Sequence, residues 1–262
     1  MGAAALSYEL EVNGFSYPAS FSVGCVNAVL MRLLRRWENL RLAVRPCEDA
    51  KGERPLVVFL CAPPGAGKST LGQFLVRLAG DAGCCEGLQC LGMDGFHHAQ
   101  AYLSSHAVTM PQGMGPVCLA AIKGAPESFD LAGLTGTLRR LRAGSREPWP
   151  RYDRRIHDVV ADAVPIVGDV VLVEGNWLLL DEPGWRDLRL LCDDAVFLRA
   201  SEEQLRDRLV RRKVKGGLTP AEALDHYRRV DGPNVRRILD AHGEADVTLD
   251  LVGEGDVRWV LP

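Results

Sequence analysis

The stretch that decides the fold runs from Leu56 to Gly80 and reads LVVFLCAPPGAGKSTLGQFLVRLAG. It opens with a short apolar run, Leu56 to Cys61, whose β-branched and aromatic residues predict a buried strand. A loop of proline and glycine follows and ends in Gly-Lys-Ser-Thr. Apolar residues then recur with helical spacing from Leu71 to Leu78, so we expect a helix to begin where the loop ends. The order of strand, glycine-rich loop and helix predicts a phosphate-binding loop.

Each part of this loop is suited to holding a triphosphate. Gly65 and Gly67 allow backbone N–H groups to turn inward, and the following helix N-terminus adds free donors and a positive dipole end. Lys68 is expected to reach the β- and γ-phosphates, and the Ser69 hydroxyl to ligate Mg²⁺. The Walker A pattern begins with glycine, whereas this position is Ala62 here, which we interpret as a tolerated variant. The predicted ATP-binding residues of the loop are Gly65, Ala66, Gly67, Lys68, Ser69 and Thr70.

The composition is that of an ordinary globular protein. The 262 residues are enough for one large α/β domain or two small ones, and 47% are hydrophobic and 25% charged. A net charge of −3 gives no reason to expect nucleic acid or an acidic membrane as a partner. The 8 cysteines contain no C-x-x-C pair, so we expect reduced thiols in the cytoplasm and neither disulfides nor a zinc site. Because we find no signal-peptide pattern and no long apolar run, we expect neither a signal peptide nor a membrane span.

Two acidic residues follow predicted buried strands. Asp94 comes directly after the run Leu88 to Met93, and Glu174 directly after the run Asp169 to Val173. Ligands of open parallel sheets bind at the carboxyl ends of the strands, so both carboxylates are expected beside the phosphate loop. An acid at the position of Glu174 is the Walker B arrangement, which orients Mg²⁺ or its water shell.

The segments beyond these strands predict an acceptor shelf and a lid. Residues 95–168 form a long, irregular insert in which Pro148 to Asp158 is dense in Tyr, Asp, Arg and His, as in a substrate shelf. Each of these side chains on its own is as readily interpreted as part of a surface ion pair. Two predicted helices with capping boxes at Ser201 and Thr219 flank a basic, glycine-containing corner. This corner predicts a mobile lid at about residues 205–220.

The N-terminal residues predict a separate arm. Alternating residues 8–18 indicate a hairpin or an edge strand, and apolar residues from Val26 to Leu40 mark one face of a long helix. Arg32, Arg35, Arg36 and Asn39 fall on the opposite face, which we expect to be solvated. Packing on the main domain is the expected role of this arm, with formation of a homodimer as the alternative.

The motifs together resemble a known enzyme group. The set APPGAGKST, MDGFHH, KGAPESFD, RYDRRIHD, VLVEGNWLLLDEPGW and RRKVKGG resembles the uridine kinase, type I pantothenate kinase and phosphoribulokinase group of P-loop kinases. It looks closest to the bacterial nucleoside/nucleotide kinase family, which includes fructose-transport-kinase-like members. The resemblance covers about Arg54 to Leu251 and implies a P-loop NTPase fold, with a mostly parallel sheet flanked by helices and a helical lid. It divides the chain into an arm, 1–53, and a kinase domain, 54–262.

The resemblance also implies roles for individual residues. Asp94 matches the catalytic base on the acceptor hydroxyl, Asp130 a substrate-hydroxyl ligand, and Glu174 the acid after the Walker B strand. The implied catalytic residues are Asp94, Lys68 and Arg211. Ser69 and Glu174 are the implied metal residues, and Arg208 and Arg212 the implied triphosphate contacts from the lid. The implied acceptor-binding residues are Asp94, Phe96, His97, Lys123, Asp130, Tyr152 and His157.

The leading hypothesis is an ATP- and Mg²⁺-dependent kinase acting on a hydroxyl of a small metabolite. Nucleoside-like, pantothenate-like and sugar acceptors all fit the motifs, because each presents such a hydroxyl. The alternative is an ATP-binding regulatory or switch NTPase without a small-molecule acceptor. Nucleic-acid binding through the lid arginines is disfavoured by the acidic balance of the chain.

Overall fold

A six-stranded β-sheet forms the centre of the protein. The computed structural model describes residues 4–12, 14–44, 54–109 and 115–260. The strands of the central sheet are β3 (Leu56–Cys61), β4 (Leu88–Gly92), β9 (Val170–Gly175), β10 (Asp194–Arg199), β11 (Val247–Val252) and β12 (Asp256–Trp259). Their order is β12-β11-β10-β3-β9-β4, and all neighbours are parallel except the edge strand β12. The predicted α/β fold with a mostly parallel sheet is confirmed.

Helices and three small hairpins surround this sheet. The helices are α1 (Val23–Cys25), α2 (Met31–Ala43), α3 (Lys68–Ala82), α4 (Gln100–Ser105), α5 (Leu131–Arg142), α6 (Glu202–Lys215), α7 (Pro220–His226) and α8 (Gly232–Asp240). The hairpin strands are β1 (Ala5–Val12), β2 (Phe15–Ser22), β5 (Ala107–Val108), β6 (Val117–Cys118), β7 (Trp149–Asp153) and β8 (Asp158–Val164). The 3₁₀ turns are Met93–Phe96, Leu119–Ile122, Pro126–Ser128 and Arg186–Leu191, and the π-helical turns are Val26–Leu30 and Tyr227–Asp231.

Strand β3 separates two hydrophobic cores. All of its residues are buried, and successive side chains point to opposite faces of the sheet. Val58 and Leu60 belong to the core under the N-terminal hairpin and α3, whereas Val57 and Phe59 belong to the core under α5. A strand that is covered on both faces needs no polar alternation, which explains its continuous apolar sequence.

The N-terminal residues form a hairpin that packs on α3. Strands β1 and β2 pair in antiparallel register, which confirms the predicted hairpin. The rings of Tyr8 and Phe21 contact Phe74 of α3, with centroid distances of 4.7 and 4.5 Å. The domain boundary at residue 53 lies outside the described residues and stays a prediction.

One face of α2 differs from the sequence-based expectation. Arg36 was expected on a solvated face, yet its Nη2 donates to Asp194 Oδ1 at 2.7 Å and its Nε contacts both carboxylate oxygens at 3.1 Å. Trp37 Nε1 donates to Asp194 Oδ2 at 2.9 Å, and the Asp194 side chain is fully buried. Helical periodicity assigns faces but does not reveal a buried carboxylate on a distant strand, so the expectation for Arg36 was wrong.

The insert is more ordered than its sequence suggests. It holds α4, α5 and the hairpins β5–β6 and β7–β8, although it was expected to be irregular. Both predicted capping boxes are confirmed, at Ser201 with Gln204 and at Thr219 with Glu222. They begin α6 and α7, which meet at the basic corner of the predicted lid. Within the described ranges, every helix is too short or too polar to cross a membrane.

Candidate active site

The loop between β3 and α3 has the conformation that a phosphate-binding loop requires. Gly65 and Gly67 have φ angles of +86° and +96°, in the left-handed region that glycine adopts without strain. Helix α3 begins at Lys68, so its unpaired N-terminal N–H groups are available at the loop. A Cβ on Gly65 would lie 2.9 Å from Leu209 Cγ, which shows how closely α6 packs against the loop.

A buried carboxylate lies beside this loop. Strand β9 runs parallel to β3, and its residue Glu174 pairs in register with Leu60. The Ser69 hydroxyl donates to Glu174 Oε1 at 2.7 Å, and Lys68 Nζ lies 3.8 Å from Oε2. Burial raises the pKa of the Glu174 carboxyl, Lys68 lowers it, and Asp94 raises it again. The two side chains predicted to hold the metal are therefore already in contact.

Asp94 lies on the strand next to β9. Strand β4 ends at Gly92, which pairs in register with Glu174, and Asp94 follows in the 3₁₀ turn Met93–Phe96. Asp94, Glu174 and Ser69 all line one cleft, whose volume is about 340 Å³. The acid that the topology rule placed near the phosphate loop thus shares a cavity with it.

Besides the ends of β4 and β9, three parts of the chain form the walls of this cleft. The first is the start of α3, and the second is hairpin β7–β8 with the turn that follows β7. The third is the tip of the N-terminal hairpin. Besides Ser69, Asp94 and Glu174, the polar lining residues are Glu11, Gln73, Arg151, Tyr152, Asp153, Arg154 and Arg155. The cleft therefore presents carboxylates, guanidinium groups and a phenol to a ligand.

Phe96 and His97, two predicted acceptor residues, pack in the protein interior next to the turn that carries Asp94. Phe96 is 7% exposed and meets Trp149 edge-on, with a centroid distance of 4.9 Å. The His97 ring packs on Phe129 at 3.8 Å, and its Nδ1 lies 2.9 Å from the Asp94 carbonyl oxygen. A carbonyl oxygen only accepts, so Nδ1 carries the proton that is donated. Burial lowers the pKa of His97, which favours the neutral ring that makes this bond.

Lys123, Asp130 and His157 do not line the cleft. Lys123 Nζ donates to Gln100 Oε1 at 2.8 Å and to the His157 carbonyl at 3.1 Å. The Asp130 carboxylate caps α5 by accepting the Gly133 N–H at 2.8 Å. His157 is exposed and has a φ of +54°. Among the predicted acceptor residues, the structure brings together Asp94 and Tyr152, and it places these three outside.

The three arginines of the predicted lid have different surroundings. Arg208 Nη1 donates to the Gly65 and Ala66 carbonyls at 3.2 and 3.0 Å, so it is tied to the phosphate loop itself. Arg211 is exposed, and its Nη1 lies 3.4 Å from Glu254 Oε2. The charge of Arg212 interacts with that of Asp94. Arg212 is exposed and is not among the residues that line the cleft, and Arg211, predicted to be the catalytic lid arginine, contacts Glu254.

Sequence reasoning missed several lining residues. Gln73 lies one helical turn after Ser69, so helical spacing was a usable signal for it. Arg154 stands inside the quoted RYDRRIHD motif but was given no role. The N-terminal hairpin gave no signal, because its approach to the cleft depends on tertiary packing alone.

A second cavity, of about 210 Å³, also borders the phosphate loop. Its lining includes Gly67 and Thr70 of the loop and helix, Arg208 of the lid and Tyr17 of β2. The Tyr17 hydroxyl lies 2.7 Å from Thr70 Oγ1, which ties the N-terminal hairpin to the start of α3.

The oxygen ligands present suit Mg²⁺. The described part of the chain holds no group of three or more His, Cys, Asp or Glu side chains arranged for a metal ion. Mg²⁺ usually keeps several waters and takes only one or two protein ligands besides substrate phosphates. Ser69 and Glu174, whose oxygens lie 2.7 Å apart next to the phosphate loop, fit that requirement.

Comparison with known proteins finds similar chains over nearly the whole length. The uncharacterized protein YggC of Escherichia coli is 41% identical over 250 residues, which are 95% of this chain and 98% of the relative. A Schizosaccharomyces pombe protein with the name "Putative uridine kinase" is 31% identical over 198 residues, covering 73% of this chain and 81% of the relative. No family model matches the chain.

A solved structure gives the same picture. The crystal structure of a "putative fructose transport system kinase" from Silicibacter aligns with a TM-score of 0.69 and 32% sequence identity. The alignment covers 84% of this chain and 98% of that one.

Proposed function

The chain belongs to the uridine kinase-related group of P-loop kinases, and from this membership we propose that it transfers the γ-phosphoryl group of ATP to a hydroxyl of a nucleoside-like, pantothenate-like or sugar metabolite. As a member of this group it is an ATP-dependent phosphotransferase. One observation carries the proposal: Ser69, Glu174 and Asp94 line a single cleft beside the phosphate loop. A phosphate site and a candidate base thus face the same space.

On the donor side, the loop and Lys68 hold the phosphates of ATP. The backbone N–H groups at the start of α3 donate to phosphate oxygens, and Lys68 adds a positive charge next to them. Ser69 and Glu174 would hold Mg²⁺, which neutralises negative charge on the β- and γ-phosphates when it is bound. The cavity beside Tyr17 and Arg208 is the corresponding place for the nucleoside part of ATP.

On the acceptor side, Asp94 is the proposed base. Its carboxylate accepts the proton of the acceptor hydroxyl while the hydroxyl oxygen forms the new bond to the γ-phosphorus and the bond to ADP breaks. The hydrogen bond from His97 Nδ1 to the Asp94 carbonyl holds the backbone that carries this carboxylate. Tyr152 lies in the acceptor part of the cleft and offers a phenol hydroxyl to the substrate.

The test is an ATP-consumption screen of the purified protein over nucleosides, vitamins and sugars. We expect one class of acceptor to stimulate turnover. With that acceptor, Asp94→Asn should lower kcat by about 10²–10⁴-fold, because the variant cannot accept the proton. Lys68→Ala should abolish transfer.

Asp187→Asn serves as the matched control, because Asp187 is exposed and lies on a turn outside the cleft. Near-normal turnover by Asp94→Asn would refute the base assignment. ATP turnover that no acceptor stimulates would favour a switch NTPase over a kinase.

A further inference from the structure

Arg154 has a position that the mechanism above leaves unused. It follows the last residue of β7, is half-buried and lines the cleft together with Asp94 and Glu174. Within the residues that the structure describes, its guanidinium has no hydrogen-bond or ion-pair partner. Its neighbour Arg151, by contrast, lies 3.7 Å from Asp153. Arg154 therefore brings a charge into the cleft that no contacting carboxylate neutralises.

Two cations of α6 interact electrostatically with Arg154. Arg212 and Lys213 lie in the last turn of α6, and the charge of Arg154 interacts with both of them and with Glu174. Burial lowers the pKa of Lys213, Asp231 raises it, and Arg212 and Arg154 lower it further. Like charges repel when a fold holds them together, and a bound anion relieves that repulsion.

We propose that Arg154 binds the transferring phosphoryl group, together with Arg212 of the lid, and so is a catalytic residue supplied by the acceptor hairpin. The inference rests on the proposed kinase function, in which this group moves from the Ser69 and Glu174 side of the cleft toward Asp94. Arg154 shares the cleft with all three. The planar guanidinium matches phosphate oxygens with two parallel donors, and such a cation stabilises the charge of the transition state.

This assignment makes two separate elements of the fold contribute to one phosphoryl site. Arg154 is carried by the β7–β8 turn, which forms the acceptor wall, and Arg212 by α6, which forms the lid. The phosphoryl site is therefore complete only when both elements are in place.

The test compares two nucleotides that differ in the γ-phosphate. Calorimetry measures binding of ADP and of the non-hydrolysable ATP analogue AMP-PNP, each with Mg²⁺, to the full chain. We expect Arg154→Gln to weaken AMP-PNP binding by about tenfold and to leave ADP binding unchanged, since only AMP-PNP reaches the arginine. Arg154→Lys, which keeps the charge without the planar fork, should lose less.

Arg139→Gln, an exposed change on α5, is the matched control, and thermal melts verify that every variant is folded. Equal losses for both nucleotides, or no loss, would overturn the assignment. So would a variant that binds both nucleotides normally and raises only the KM of anionic acceptors. If wild type phosphorylates no acceptor while the AMP-PNP-specific loss persists, the kinase proposal fails and the phosphate contact stands.

Discussion

At the scale of single residues, the Glu174 carboxylate experiences opposing effects on its charged form: burial and Asp94 disfavour it, whereas Lys68 and Ser69 favour it. It is 8% exposed, accepts the Ser69 hydroxyl and lies near Lys68, while Asp94 adds a second negative charge close by. A buried carboxylate with a negative neighbour is costly unless cations surround it. Bound Mg²⁺ would supply that compensation, so the residue is expected to couple metal affinity to its own ionisation.

We predict that Glu174→Gln weakens binding of Mg²⁺-nucleotide by about 10–100-fold, the range typical of residues that support a metal site. The reason is that the amide keeps the size and the hydrogen bond from Ser69 but loses the charge. A Mg²⁺ titration of nucleotide binding measures the effect, with the exposed Glu203→Gln on α6 as control. An unchanged Mg²⁺ requirement would remove Glu174 from the metal site.

The raised pKa of Glu174 predicts how Mg²⁺-nucleotide affinity changes with pH. Burial, the largest cause, raises the pKa above its ordinary value of 4.5, so acidification protonates Glu174 at a higher pH than an unperturbed glutamate side chain. Mg²⁺-nucleotide affinity should therefore fall as the pH drops through the raised pKa, and Glu174→Gln should lose this dependence. For the stability of the metal-free protein, the sign is opposite. A raised carboxyl pKa favours folding below the unfolded-state pKa, and this contribution is lost as the pH rises through the folded-state pKa.

At the scale of elements, the Asp94 turn packs closely against β7, so the proposed base is held next to the hairpin that carries Tyr152. A Cβ on Gly95 would lie 2.1 Å from the Pro150 carbonyl oxygen and 2.9 Å from the Arg151 nitrogen. Both are backbone atoms, which cannot move aside as a side chain can. We predict that Gly95→Ala costs about 1–3 kcal/mol of unfolding free energy, as overpacking does, and lowers kcat while ADP still binds.

Urea unfolding and ADP calorimetry on the same variant separate these effects. Gly80→Ala is the control, because a Cβ there meets nothing within 4 Å and alanine favours the helix α3. If Gly95→Ala keeps wild-type stability and kcat, the close contact between Gly95 and the β7 backbone matters for neither stability nor catalysis.

What the sequence predicted at this scale was local or topological. The strand, loop and helix around Lys68 are encoded by neighbouring residues, and Asp94 and Glu174 follow from the rule for parallel strands. The β7–β8 hairpin was missed because Arg, Tyr and Asp dominate its turn region, a pattern that also describes a surface loop. Asp130 was assigned to substrate by resemblance, whereas an aspartate before a helix has a capping role that the structure displays.

At the scale of the whole molecule, Arg36 joins the N-terminal arm to the central sheet. Its guanidinium is the main partner of the fully buried Asp194 at the start of β10. We predict that Arg36→Met lowers the unfolding free energy by about 3–5 kcal/mol, because a buried carboxylate loses its cation. Denaturant unfolding measures the loss, with the exposed Arg35→Met on the same helix as control.

A second substitution identifies the cause of this loss. Asp194→Asn in the Arg36→Met background removes the orphaned charge, so part of the stability should return. If the double variant is no more stable than the single one, the loss comes from packing of the arginine stem.

The strand order also has a consequence for biosynthesis. Strand β3 carries the phosphate loop, and its two neighbours in the sheet are β9 and β10, which follow it only after the entire acceptor insert. A nascent chain that has not reached Val170 therefore contains the apolar strand Leu56–Cys61 without either of its hydrogen-bonding partners. Such long-range pairing is slow and leaves apolar edges exposed during synthesis. The phosphate loop is thus translated early but acquires its supporting sheet late, after the ribosome has completed β10.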